Sequence, residues 1–480
     1  MNTKTARLSL LSLAALSLAA CAVNPATGER QLMLVSEGQE IAMGREADPQ
    51  ISAMFGLYAD SAIQHYVAGL GYDLVARAER PNLPWTFRVV DDPLVNAFAL
   101  PGGYIYITRG IMAHFNSEAE LVSVLGHEIG HVTARHSAHQ ISQQQLAQVG
   151  LVAGAVLVPE VQDYLGVAAA SLQLLFLKFS RDDERQADDL GLRYMTRGGY
   201  DPREMPDVYE MLGDVSAASG AGGVPGWLST HPDPEDRRER IERQIDTLAV
   251  EGTLVRQDEY LRRLQGMTYG DNPREGYFRE NVFYHPDFAF RLDFPTGWQT
   301  VNSKQRVAAQ SPQEDALIQL DLSEEASPEA AAQSFAAMEG VRVGRSQSGD
   351  INGLPATSLT FTATTEQQVL AGLVAFVSYE GNLYRLMGLT LQPQWGAYRG
   401  AFQQSIMSFN RLADRTALSV QPLELQIVEL DRPMTLEQFA QRYPSQVSVA
   451  ELALINQVEP GVELEEGRLL KRVVGGPLPR

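Results

Sequence analysis

The chain of 480 residues has one cysteine, Cys21, and only eight histidines and four tryptophans. One thiol cannot close an internal disulfide or supply a cysteine-based metal site, so any metal held here rests on His and carboxylate donors. Basic residues are also scarce: 39 Lys and Arg stand against 59 Asp and Glu, a formal net charge of -20. No general basic face exists to neutralise a phosphate backbone, which argues against nucleic acid as a partner. Long apolar runs are missing too. Leu8 to Ala20, Leu151 to Val158 and Leu165 to Leu177 all fall short of the roughly 20 residues that a spanning helix needs. What remains is ordinary globular material, 44% hydrophobic and 20% charged, with 40 Gly and 25 Pro. Its length predicts two to four domains at roughly 100 to 200 residues each.

Lys4 and Arg7 precede the apolar run Leu8 to Ala20, so residues 1–20 read as an export signal. Leu18-Ala19-Ala20-Cys21 resembles a bacterial lipobox, which implies cleavage before Cys21 and lipidation of its thiol. Ala22 follows where an Asp would signal inner-membrane retention. The expectation is a periplasmic chain anchored to the outer membrane through Cys21. The two apolar pieces between 151 and 177 are read as buried or interfacial helices.

Ser117 with Glu120 three residues on has the form of a capping box, and predicts a helix through about His139. Within it lies His127-Glu128-Ile129-Gly130-His131. A spacing of four residues puts both imidazoles about 40° apart on one helix face, within reach of one ion, while Glu128 projects about 100° round to its edge. Zinc needs neutral His donors, another ligand and a position for water, and the intervening Glu can take the proton from that water. A further ligand is expected from Ser180-Arg181-Asp182-Asp183-Glu184-Arg185-Gln186-Ala187-Asp188. Ser180 caps a second helix there, and Glu184 and Asp188 share one face; one could bind metal while the other accepts a hydrogen bond as support.

These segments, with Asn96-Ala97-Phe98-Ala99-Leu100-Pro101-Gly102-Gly103-Tyr104-Ile105-Tyr106, resemble the gluzincin peptidases that include HtpX and the CAAX prenyl endopeptidase. Asn24-Pro25-Ala26-Thr27-Gly28 is similar to the periplasmic BepA-like lipoprotein branch. The resemblance implies one Zn2+ per subunit on His127, His131 and Glu184, with Glu128 as general base and Asp188 as the supporting acid. It also implies an edge strand above the metal, carrying Gly102, Gly103, Tyr104 and Tyr106, to which an extended substrate could pair. His231, in Ser229-Thr230-His231-Pro232 behind the loop Gly220 to Gly226, matches a histidine that can reach the zinc and hold the enzyme latent. His65, His114, His136, His139 and His285 have no comparable pattern and are read as structural.

Beyond about residue 245 the pattern changes. Phe288 to Trp298, Ala316 to Leu322, Leu354 to Thr364 and Val369 to Tyr379 read as strands, Pro328 to Met338 as a helix and Asn352-Gly353 as a turn, a mixture similar to a PsbP-type module. Met434 to Ala440 and Val449 to Asn456 read as helices between strands, similar to a LysM module, which implies peptidoglycan as a partner. The expected architecture is multidomain. It runs from a signal (1–20) and a tether (21–49) to a mainly α-helical α+β zincin-type peptidase domain (50–245) and a linker (246–280). An α/β PsbP-like domain (281–415) and a small LysM-like α/β module (420–475) follow. The expected function is a zinc metalloendopeptidase acting on misfolded or misassembled envelope proteins. The alternative is a largely latent peptidase that serves as an assembly chaperone or cell-wall scaffold.

Overall fold

A computed structural model describes residues 21–151, 174, 177–218, 226–231, 234–247, 252–364 and 368–476. The export signal, most of the two apolar pieces between 151 and 177, and the loop 220–225 lie outside them. Among the described residues no helix is long and apolar enough to cross a membrane.

The described chain opens with a ribbon of β1 (Cys21–Val23) and β2 (Arg30–Leu32). The Asn24 side chain accepts from the Ala26 and Thr27 backbone N–H groups and so turns the corner between the strands. Helix α1 (Glu37–Phe55) starts at a capping box between Ser36 and Gln39, and α2 (Ser61–Val75) at Asp60. A three-stranded sheet follows, made of β3 (Thr86–Val90), β4 (Ala97–Leu100) and β5 (Tyr104–Thr108) in the order β3-β5-β4.

That order corrects one expectation. The strand with Tyr104 and Tyr106 is the central one, and the edge falls to β4. Its alternation of Tyr and Ile is not half polar, because both faces are covered. Tyr104 and Tyr106 pack with Ala47 and Ile51 of α1, and the Tyr106 hydroxyl donates to Asp48 (2.6 Å). Ile105 and Ile107 enter the main core on the other side. Gly102 and Gly103 have φ of 83° and 105°; a Cβ on Gly102 would sit 2.7 Å from the Ile41 Cα. The backbone that comes close there is α1, not a substrate.

Helix α3 (Arg109–His114) leads to α4 (Glu118–Thr133), which carries the His-Glu-x-x-His segment. Helix α4 was expected to reach about His139 but ends at Thr133, because Arg135 takes the left-handed conformation (φ 64°) with its guanidinium bonded to Glu40 and the Val35 carbonyl. Helix α5 (His136–Leu151) then starts afresh. Four more helices follow: α6 (Arg181–Arg197), α7 (Glu204–Ala218), α8 (Gly226–Thr230) and α9 (Pro234–Thr247).

Residues 246–280, expected as a linker, are largely folded. Tyr260, Leu264, Met267 and Tyr269 are buried in the same hydrophobic cluster as α4, and the Tyr260 hydroxyl donates to the Met112 carbonyl. The next region has its own core. A seven-stranded antiparallel sheet includes Ala316–Ser323, Leu354–Thr364 and Val369–Tyr379, close to where the sequence put strands. Helices Pro328–Ala336 and Trp395–Met407 pack on it. At the C-terminal end, Leu423–Glu429 pairs with Leu469–Val474 around helices Leu436–Arg442 and Val449–Asn456. This end is not a separate body: Leu425, Phe439, Leu452, Ile455 and Val473 join the cluster beneath α4. Lys471 is buried and donates to the Ala113 and Phe115 carbonyls just before that helix.

Candidate metal centre

Close packing of α4 on α6 builds the site. A Cβ on Gly130 would lie 2.9 Å from the Ala187 carbonyl oxygen, and one on Gly191 would lie 2.9 Å from the His127 nitrogen. Only small residues let the two backbones approach this closely, and the approach carries Glu184 and Asp188 to the histidines. His127 Nε2 and His131 Nε2 lie 3.0 Å apart. Glu184 places its carboxylate 3.6 Å from the first and 3.5 Å from the second. All three side chains are 1% exposed.

His231 joins the same group, with Nδ1 2.9 Å from Glu184 and 3.3 Å from His127 Nε2, so four donors lie within 4.8 Å of one another. Trp227 of α8 stacks on the His231 ring at 4.6 Å, and the Trp227 backbone N–H donates to the Val95 carbonyl just before β4. Glu128 lies beside the cluster, 3.6 Å from His231 Nε2; its two oxygens accept no hydrogen bond among the described residues.

The electrostatics fit a cation. Burial pushes the imidazoles of His127 and His131 below their ordinary range, so both are neutral and offer lone pairs. Burial pushes the carboxyls of Glu184 and Glu128 up to about 7 each, and a divalent ion is the partner that would hold them ionised. Burial would raise Asp188 as well, but Arg237 beside it and the hydrogen bond from His127 hold it far below the carboxylate range. Asp188 accepts from His127 Nδ1 (3.0 Å), from Tyr209 (2.6 Å) and twice from Arg237 (2.6 and 3.0 Å). These contacts place Asp188 where it could orient His127.

Tetrahedral zinc with bonds of roughly 2.0 to 2.1 Å puts its ligand atoms about 3.3 Å apart, close to the separations among His127, His131 and Glu184. Arg237 is the main residue that sequence reading missed. It lies 2.8 Å from Glu184 as well as on Asp188, and stands 4.6 and 4.8 Å from the centres of the Tyr209 and Trp227 rings. It stands in a helix start with Arg238 and Arg240, where no motif singles it out. His136, read as structural, lies 3.0 Å from His131.

The profile described as Peptidase family M48 matches residues 61–245. Over 233 residues the chain is 33% identical to the Beta-barrel assembly-enhancing protease of Yersinia pestis, covering 47% of each protein. It is 39% identical over 163 residues to Mitochondrial metalloendopeptidase OMA1 of Arabidopsis thaliana, covering 34% of this chain and 32% of that one. With the OMA1 protein of Schizosaccharomyces pombe it shares 30% identity over 242 residues, covering 47% of this chain and 67% of that one. The chain belongs to peptidase family M48. M48 peptidases use zinc, and the M48 domain here carries the donor set for it. The chain spans about half the length of the β-barrel assembly-enhancing proteases it matches. Among solved structures, the cyanobacterial PsbP of Synechocystis sp. PCC 6803 aligns with 28% of this chain and 95% of its own, at 15% identity and a TM-score of 0.24.

Proposed function

We propose that this protein is a zinc-dependent metalloendopeptidase that hydrolyses peptide bonds of misfolded or misassembled envelope proteins at the periplasmic face of the outer membrane. The observation that carries the reading is the convergence of His127, His131 and Glu184 on one buried point with the unbonded carboxylate of Glu128 beside it. Zinc held there would acidify water and polarise the scissile carbonyl. Glu128 is the general base: its raised affinity for protons suits it to take one near neutral pH and return it to the leaving amine. Asp188 and Arg237 keep His127 in the tautomer whose Nε2 is free. A substrate that added to this sheet by main-chain pairing would have to join an edge strand such as β4, not the central β5. The relatives named for β-barrel assembly support outer-membrane protein assembly as the setting, and the lipobox-like segment supports an anchor at Cys21.

One arrangement favours a second reading, that of a latent enzyme. With His231 the site has four protein donors, which leaves no position for water in a tetrahedral set. Helix α8 is bonded to the Val95 carbonyl and stacked on His231 through Trp227. On this reading His231 is a latch, and substrate or a partner must displace α8. Peptidoglycan contact through the C-terminal module remains part of the scaffold alternative.

Metal analysis of the purified protein, with casein cleavage measured before and after chelation and zinc return, tests the enzyme reading. About one zinc per chain and activity that follows it are expected. A chain that takes up no zinc, or that cleaves casein equally well after chelation, overturns it.

A further inference from the structure

The two metal-facing imidazoles have unlike partners at their second nitrogens. His127 Nδ1 faces Asp188 Oδ1 at 3.0 Å, a carboxylate that can only accept, with Arg237 Nη2 at 3.2 Å. His131 Nδ1 faces Nδ1 of His136 at 3.0 Å, and either ring could carry the proton between them. The choice is made elsewhere.

It begins at Asn24, 1% exposed, whose Oδ1 is taken up by the backbone N–H groups of Ala26 (2.9 Å) and Thr27 (3.3 Å). Its amide nitrogen therefore points the other way and donates to Gln186 Oε1 at 2.9 Å. Gln186 thus presents an oxygen, which His136 Nε2 also meets at 2.9 Å. That contact requires an N–H on His136 Nε2. The two Nδ1 atoms, 3.0 Å apart, share one proton, so with His136 protonated at Nε2 its own Nδ1 is the bare one and accepts. His131 Nδ1 then carries the proton, which leaves its Nε2 lone pair pointing into the donor cluster. Two carboxylates face this ring: Asp183, 3.7 Å from His136 Nε2, and Glu184 of the donor cluster.

The helix break is what makes the chain possible. On an unbroken helix His136 would lie five positions, or about 140°, round from His131. The left-handed Arg135 restarts the helix and turns His136 back onto His131.

We propose that His136 is the positioning residue for His131, and that Asn24 of the N-terminal segment sets its tautomer through Gln186, so that docking of this segment is coupled to metal affinity. The inference rests on the zinc reading above and adds a relay to it. Supporting groups of this kind typically change metal affinity 10- to 100-fold.

The test uses the full chain in detergent, with zinc affinity read by competition against a chromogenic chelator. His131 ring-nitrogen signals are read in the metal-free protein labelled with 15N-histidine. Expected are a 10- to 100-fold weaker zinc affinity for His136→Leu, and recovery to within a few-fold of wild type for His136→Asn, whose Oδ1 can stand in for the lost acceptor. Asn24→Leu should weaken zinc by a smaller factor, and its metal-free His131 should lose its Nδ1–H preference while the melting temperature holds. The relay is overturned if His136→Leu binds zinc like wild type, if His136→Asn binds no better than His136→Leu, or if metal-free wild-type His131 is protonated at Nε2. A wild type that binds no zinc overturns the underlying metal reading instead, and the nitrogen signals still report on the relay.

Discussion

The M48 domain and the sheet-rich region after it bury their polar groups in opposite ways. Around α4 the interior holds Arg80, Arg109, Glu118, Glu120, Glu128, Glu184, Asp188, Arg237 and Lys471, together with five histidines. In the seven-stranded sheet and its helices the buried polar groups among the described residues are neutral: Ser311, Gln319, Thr357, Thr390 and Ser405. An unpaired buried charge costs several kcal/mol, so a charged interior is tolerated only where partners surround it. The contrast locates function. The sheet-rich core is an apolar cluster that includes Phe290, Tyr384, Phe402 and Phe409, whereas the M48 core holds the groups proposed to act on a substrate.

Four predictions sharpen or break this contrast. The largest effect is expected for Glu128→Gln, which removes the base at nearly constant shape: casein cleavage should fall roughly 10²- to 10⁴-fold with both melting transitions unchanged. Residual cleavage near wild type would mean that the buried carboxylate is not part of the chemistry. Next comes Phe402→Ala in the sheet-rich core, where Gly388 admits the fully buried ring; a loss of about 3 to 5 kcal/mol in that region's urea transition is expected. If casein cleavage fell in step, the two cores would be one folding unit and the comparison would fail.

The third prediction concerns acid. Burial pushes His114 down to about 4, while in the unfolded chain a histidine titrates near 6.5. As pH falls through that window the unfolded chain takes up a proton that the fold refuses. The stability present above about 6.5 is therefore lost toward 4, by about 2 kcal/mol at pH 5 for this one residue. His127, His131, His136 and His231 are shifted in the same direction, whereas the sheet-rich region has only His285. Differential scanning calorimetry of the metal-free chain between pH 7 and 5 should show the M48 transition falling further than the other. Equal shifts would count against the charged-interior account.

The smallest change is expected for His231→Ala. Freed of its fourth protein donor, the site should cleave casein several-fold faster than wild type. An unchanged basal rate would remove the latch.

Much of this was legible in advance because it is local. The capped start of α4, the four-residue spacing of His127 and His131, the capped acidic start of α6 and the Asn352-Gly353 hairpin are all short-range patterns. Less legible was what depends on coverage and chain direction. The strand of Tyr104 and Tyr106 has the same alternation whether central or at an edge, and only its neighbours decide. Tyr260, Leu261, Leu264 and Met267 recur at helical spacing, but that spacing does not say which core they join.

The sequence by itself determined which side chains could hold a metal and which carboxylate could act as base, because helical periodicity places residues four apart on one face. Only the tertiary structure decided which further groups reach them: Arg237 on Asp188, His231 beside Glu184, and His136 turned back by one left-handed residue. Those contacts join positions distant in the chain or across a broken helix, where no periodicity holds and packing alone sets the distance.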